Sequence, residues 1–296
     1  MRIVSLLPSA TEMLFGLGAG DDVVGVTFEC DTPAEARTRR VVSTSSLPEG
    51  LSPAEIDAVV SARVRAGEDL YHLDEGALAG LDADLVVTQD LCAVCAVDVD
   101  DVQAALGHLG CRADVLTLDP HTLDEVLGTL VTLGDAVGRG DEARAQIEDL
   151  RDRLDAVRLA VEGLPRPKVL LLEWADPPYA PGHWVPEMIL AAGGEPTIGE
   201  VGGKSTRVTW EQALATPPDV VVVAPCGYDL AASAEQAREL LAAGVLPDGV
   251  LVRAMDSNGC VARPGPRLVD GVEDLAKLLH PGELGGLSSA EVRRHH

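Results

Sequence analysis

The chain has 296 residues, 46% hydrophobic and 24% charged, enough to bury one large core or two modest ones and too rich in apolar pattern for a disordered polymer. Its 48 acidic residues against 23 basic give a net charge of −25, a field that repels phosphate backbones and anionic headgroups, so no nucleic-acid partner is expected. No run approaches the ~20 apolar residues that cross a bilayer, so membrane insertion is not expected either. Six cysteines are too few for a disulfide scaffold.

The opening MRIVSLLPSATEMLFGLGAG is broken by Pro8, carries Glu12 and runs on into DDVVGVT. It reads as a first strand and helix rather than a leader, which points to the cytoplasm; a mature exported protein with an added Met would open in the same way. Ser9 with Glu12, and Ser52 with Glu55 and Pro53, have the spacing of capping boxes and mark helix starts. Gly16, Gly18 and Gly20 follow the first helix and precede a strand, so they predict a helix end rather than a dinucleotide loop. The runs RIVSLL, DVVGVT, DLVVTQ and ADVLTL alternate with helical patterns, the rhythm of a parallel sheet with crossover helices.

From Arg139 to Glu162 there is no Pro, and Ala143, Ile147, Leu150, Leu154, Val157 and Val161 recur at three and four, which predicts one long amphipathic helix ending at Gly163. A second series follows through KVLLLEW, WVPEMILAAGG, WEQALA, DVVVVAPCG, AEQARELLA, VLVRAMD and RLVDGVEDLAKLLH. The halves echo each other: LDADLVVTQDLC and TPPDVVVVAPC each give an Asp, a hydrophobic strand and a Cys eight or seven residues after the Asp. The expected fold is α/β: a lobe over 1–138, a linking helix over 139–163 and a lobe over 164–296. Each lobe has a central sheet, and the ligand cleft lies between them at strand carboxyl ends.

The chemistry-bearing residues gather where those strands end. Cys92 and Cys95 form a C-x-x-C after one strand, Cys30, Cys226 and Cys260 follow three others, and Cys111 begins a strand and is assigned to packing. Thiols at Cys30, Cys92, Cys95 and Cys226 could hold zinc or an iron–sulfur cluster, or Cys92 and Cys95 could serve a thiol-dependent enzyme; buried, inert cysteines are the plain alternative. Of eight aromatics, Phe28, Trp174, Tyr179, Trp184 and Tyr228 fall in the same loops, as though to stack a flat ligand, with capping of the lobe cores as the alternative. Glu29, His183 and Arg263 are polar candidates for ligand contact, each with an ordinary structural role beside it. No nucleophile elbow, P-loop or HExxH is present, so a non-catalytic protein is expected.

The opening through VTFECDTP, the strand DADLVVTQ, the long helix, EWADPPYAPGHW and MDSNGCVARPGPRLVDGVEDLA, in that order over roughly residues 2 to 280, resemble the helix-linked (class III) periplasmic binding proteins, in particular cobalamin binders and their cytosolic-looking relatives. The resemblance implies cobalamin, or a related corrinoid or tetrapyrrole, held between two lobes, with an ABC-type permease as partner for an uptake component. It points to Phe28, Tyr179, the loop around Asn258 and the loops beginning at Gln89 and Cys226. Residues 52 to 74 look like an insertion relative to the compact binder, and the cysteines and the Gly182-His183-Trp184 stretch lie outside the family pattern.

Overall fold

The computed structural model describes residues 1–48, 50–66, 70–89, 113–285 and 290–292. The chain divides into two compact units, Met1–Pro120 with Leu127–Ile147, and His121–Val126 with Glu148–His296.

The N-terminal unit is built on six strands: β1 (Ile3–Ser5), β2 (Val23–Thr27), β3 (Arg40–Ser45), β4 (Tyr71–Leu73), β5 (Leu85–Thr88) and β6 (Asp114–Thr117), in spatial order β4-β3-β2-β1-β5-β6. All neighbours are parallel except β4, which runs antiparallel to β3 at the edge. β1 and β5 are buried at every position, as expected of central strands in a parallel sheet covered on both faces. Val4, Leu6, Val42 and Val86 form the core on one side of this sheet. The segment read as an insertion supplies a helix, Pro53–Ala66, and the edge strand β4.

Local signals set several of the helix ends. The Ser52–Glu55 box forms, the Glu55 carboxylate accepting from Ser52 N at 2.8 Å and from Ser52 Oγ at 2.6 Å, and these bonds hold the Glu55 pKa below its usual value. The Ser9–Glu12 box does not form. The first helix is Pro8–Gly16 with Leu7 at its N-cap, because Pro8 has φ preset and no N–H to lose and so takes the first turn, leaving Ser9 inside the helix. That helix ends through Gly18 at φ 73°, a left-handed position that a side chain would strain. The expected long helix spans Gly140–Val161, followed by Gly163 at φ 77°.

The C-terminal unit contains β7 (Lys168–Leu172), β8 (Trp174–Ala175), β9 (Pro178–Ala180), β10 (Glu195–Pro196), β11 (Thr206–Arg207), β12 (Val220–Val223), β13 (Leu251–Ala254) and β14 (Ala290–Val292). Five make a sheet in order β10-β7-β12-β13-β14, parallel except for β14, and three make a small antiparallel sheet in order β11-β9-β8. Leu170, Leu172, Val221 and Val223 bury against Ala234, Ala237 and Leu240 of the Leu230–Ala243 helix. Fully burying one such leucine is worth about 1.5–3 kcal/mol, so these strands rather than the loops anchor the unit. Arg153 on the long helix donates to both Asp270 and Glu273 of the Leu268–Leu279 helix, fastening the two within this unit.

The α/β fold expected from the sequence is present, with a central sheet in each unit. The Asp-strand echo has a physical basis. Asp84 Oδ2 accepts from Arg2 N at 2.7 Å and Asp84 N donates to Arg2 O at 2.8 Å; Asp219 Oδ2 accepts from Lys168 N at 2.8 Å and Asp219 N donates to Lys168 O at 2.9 Å. In each unit the Asp clamps the start of the strand next door.

Candidate functional site

In the C-terminal unit the carboxyl ends of β7, β12 and β13 are level, since Val223 pairs with both Leu172 and Ala254. Open parallel sheets bind ligands at this edge. The loops that leave it are tied together, Cys226 N donating to Glu173 O at 3.0 Å and Asn258 N to Tyr228 O at 3.0 Å. Asp256 accepts from Gly259 N at 2.9 Å and caps the short turn that carries Asn258 and Cys260.

The small antiparallel sheet sits directly after β7. Trp174 lies opposite Tyr179, and Tyr179 opposite Arg207, so the three share one face. The other face carries Ala175, Pro178 and Ala180, all buried, while Ala175 and Val208 pack into the core. Alternation therefore turns the Trp174–Tyr179–Arg207 row outward, with Trp174 and Tyr179 half-buried and Arg207 exposed. Tyr228 meets Trp174 edge-on, ring centroids 5.6 Å apart at 72°, a favourable aromatic geometry. Trp174 Nε1 donates to Asp176 O at 3.0 Å, which fixes the indole. Burial, with Glu239 nearby, raises the Tyr228 phenol pKa, so it is protonated at neutral pH.

His183 lies in the loop before the Val185–Ala191 helix at φ 50°, an uncommon left-handed conformation for a residue with a side chain. Its backbone is gripped: His183 N donates to Gly203 O at 2.5 Å and His183 O accepts from Gly202 N at 2.9 Å. The crossing demands glycine at 182, where a Cβ would come within 2.2 Å of Ser205 N. The His183 Nε2 atom is buried with no hydrogen-bond partner among the described residues, and the His121 ring lies 5.9 Å away. Burial, then His121, then Lys204 lower the His183 pKa, so the imidazole is neutral at pH 7.

Trp184 is 4% exposed and its Nε1 donates to Val261 O at 2.8 Å, so it packs in the interior and ties the helix start to the 261 loop. Arg263 and Asn258 are half-buried, and Cys226 is exposed. The Cys260 thiol is pushed up to about 12, by burial first and then by Asp256, Asp274 and Asp270, the opposite of a reactive thiolate.

In the N-terminal unit Phe28 and Glu29 follow β2 and meet Tyr71 of β4: the Phe28 and Tyr71 rings lie 5.9 Å apart, and Tyr71 OH donates to Glu29 Oε2 at 3.0 Å. Cys30 is buried beside Thr11, Oγ1 to Sγ 3.0 Å, and Thr11 in turn donates to Ser5 Oγ at 2.8 Å. Gln89 directly follows β5 and is buried, and its Oε1 has no hydrogen-bond partner among the described residues. Cys92 and Cys95, half of the expected thiol set, and Cys111 lie outside the described residues. Among the described residues no three His, Cys, Asp or Glu side chains group to hold a metal, and those residues give the zinc or iron–sulfur reading no support. No helix there is long and apolar enough to cross a membrane.

Sequence reasoning missed Tyr71, His121, Lys204 and Arg207. Tyr71 lay in the supposed insertion, and the other three reach the site through contacts that no local pattern announces.

The family model described as "Periplasmic binding protein" matches residues 3–243. The chain belongs to this family. Its resemblance to the class III members, which bind cobalamin, haem or iron complexes, therefore stands. A cobalamin-binding protein of Halobacterium salinarum is 26% identical over 293 residues, covering 94% of this chain and 69% of the relative. An uncharacterized ABC transporter substrate-binding lipoprotein of Bacillus subtilis is 23% identical over 286 residues, covering 95% and 80%. Among solved structures, a periplasmic heme binding protein from Pseudomonas aeruginosa superimposes with a TM-score of 0.72 at 21% identity, covering 100% of this chain and 99% of the other, and confirms the periplasmic-binding-protein fold.

Proposed function

We propose that this periplasmic binding protein captures a flat macrocyclic ligand, a corrinoid with cobalamin first, and hands it to an ABC-type permease. The observation that carries the reading is the outward aromatic row of Trp174 and Tyr179 with Tyr228 edge-on to it, in a chain with only eight Phe, Trp and Tyr residues. Aromatic faces of this kind stack a conjugated or puckered ring and exclude water from its face. Phe28, Glu29 and Gln89 in the N-terminal unit and Asn258, Arg263 and the Cys226 loop in the C-terminal unit are the further contacts we assign. Trp184 supports the site from within.

The names of the two relatives, a cobalamin-binding protein and a transporter lipoprotein, support both the ligand class and the permease. They also support action outside the cytoplasm rather than in it, against the expectation drawn from the opening residues. A second reading, haem in place of a corrinoid, rests on the neutral His183, whose buried Nε2 has no hydrogen-bond partner among the described residues, since neutral imidazole nitrogen is a good ligand for haem iron.

Titration of the purified protein with cyanocobalamin and with hemin, followed by tryptophan fluorescence and by calorimetry, tests both. Stoichiometric cobalamin uptake is expected, weakened by Trp174→Ala. Hemin uptake with no response to cobalamin would move the assignment to the second reading, and no uptake of either would overturn both.

A further inference from the structure

The aromatic row does not end on an aromatic. Arg207 stands on β11 directly opposite Tyr179, in line with Trp174, on the face that alternation turns away from the core. Two strand spacings separate the two ends of the row, about 10 Å, a distance comparable with the breadth of a tetrapyrrole ring. A ring stacked over Trp174 and Tyr179 thus brings its rim to the guanidinium. Lys204 is exposed in the loop that leads into β11, three residues before Arg207, so two of the chain's 23 basic residues, against 48 acidic ones, lie close together in this stretch.

We propose that Arg207 is a specificity-determining residue that takes an anionic oxygen at the rim of the flat ligand. The inference rests on the macrocycle reading above and deepens it by naming the substituent. A planar guanidinium presents paired N–H donors in a fixed fork that matches phosphate and carboxylate oxygens, and charge-assisted bonds of this kind are about twice as strong as neutral ones. Two sources supply that chemistry: the phosphodiester of the nucleotide arm of a complete corrinoid, and the propionate carboxylates of haem. Side-chain amides of a corrin ring carry no charge and give Arg207 less.

The experiment compares the wild-type protein with Arg207→Gln on two matched pairs of ligands. Cyanocobalamin carries the phosphodiester and dicyanocobinamide lacks it; hemin carries free propionates and its dimethyl ester does not. In whichever pair binds, Arg207→Gln is expected to weaken the anionic member roughly tenfold and to leave the neutral one unchanged. Raising the salt concentration should narrow the gap for the wild type only. Arg207→Lys, which keeps the charge and loses the fork, is expected to fall between the two and guards against a folding defect in the Gln variant. An equal loss on both members of a pair, or no loss on either, overturns the assignment of Arg207 while the macrocycle reading stands. Failure of the wild type to bind any of the four overturns that reading and this inference with it.

Discussion

The two units share a frame and differ in what they mount on it. Each pairs its first strand with a later one, β1 with β5 and β7 with β12, and each clamps the start of the first strand with an Asp that heads the second. The strand ends then diverge. Those of the N-terminal unit are lined with buried hydroxyls, Ser5, Thr11, Thr27, Ser43 and Thr88, linked in part to each other and to Cys30. Those of the C-terminal unit carry Trp174, Tyr179 and Tyr228 and an extra small sheet that holds them in line. One frame can thus present a polar end and an aromatic end, because hydrogen bonding and burial fix the strands while the loops beyond them are free to vary.

The sharpest way to break this comparison is at the glycines. Gly182→Ala forces a Cβ to within 2.2 Å of Ser205 N and 2.5 Å of the Lys204 carbonyl carbon, backbone that has no side-chain freedom to yield. We expect a loss of about 3 kcal/mol or more in denaturant unfolding. Gly128→Ala, in a helix with nothing within 4 Å of the new Cβ, should instead gain up to about 1 kcal/mol. Equal midpoints for the two variants would show that the Gly182 crossing is not a tight one.

Next in size is the division of ligand binding. Trp174→Ala should weaken the macrocycle about tenfold or more, since it removes the fixed indole of the row. Phe28→Ala, whose ring is already 41% exposed and leans on Tyr71, should cost only about threefold. The reverse order in a calorimetric titration would transfer the principal contact to the N-terminal unit. Smaller again are the two clamps: Asp84→Ala and Asp219→Ala should each lose about 1 kcal/mol, one backbone hydrogen bond apiece, and should do so to a similar extent. A large inequality between them, read from paired unfolding curves, would show that the repeat is one of pattern and not of energetics.

What the sequence made legible follows the same division. The frame shows because burial on both faces forces runs such as VVVV at 220–223, and because Asp84 and Asp219 repeat at the head of matching strands. The site shows only in part. Strands of two or three residues, such as β8, β9 and β11, are too short for any period to register, so the line of Trp174, Tyr179 and Arg207 is invisible until pairing is seen. Tyr71 reads as part of an insertion because an edge strand of three residues carries no signal of its own. Cys30 and Cys260 sit at strand ends as expected, yet one is buried against Thr11 and the other has its thiol pKa raised, so position alone overstates their chemistry. Ser9 has the right partner at the right spacing, and Pro8 overrides it by starting the helix two residues earlier, with Leu7 rather than Ser9 at the N-cap.

The smallest expected effect probes the electrostatics of the aromatic end. His183 has its pKa lowered by burial, by His121 and by Lys204, so as pH falls through about 6.5, the ordinary histidine value, the unfolded chain takes up a proton before the folded one does. The unfolded state then binds more protons, and stability declines with falling pH from that point until the folded group titrates as well. Asn tolerates the left-handed backbone at 183 and does not titrate, which makes His183→Asn the suitable comparison. The wild type should lose more thermal stability between pH 7.5 and pH 5.5 than the variant, because His121 and the remaining histidines are common to both. Parallel losses would mean that the proton is accommodated at the loop without strain. The neutral imidazole would then be a consequence of the packing around Gly182 and not a condition for it.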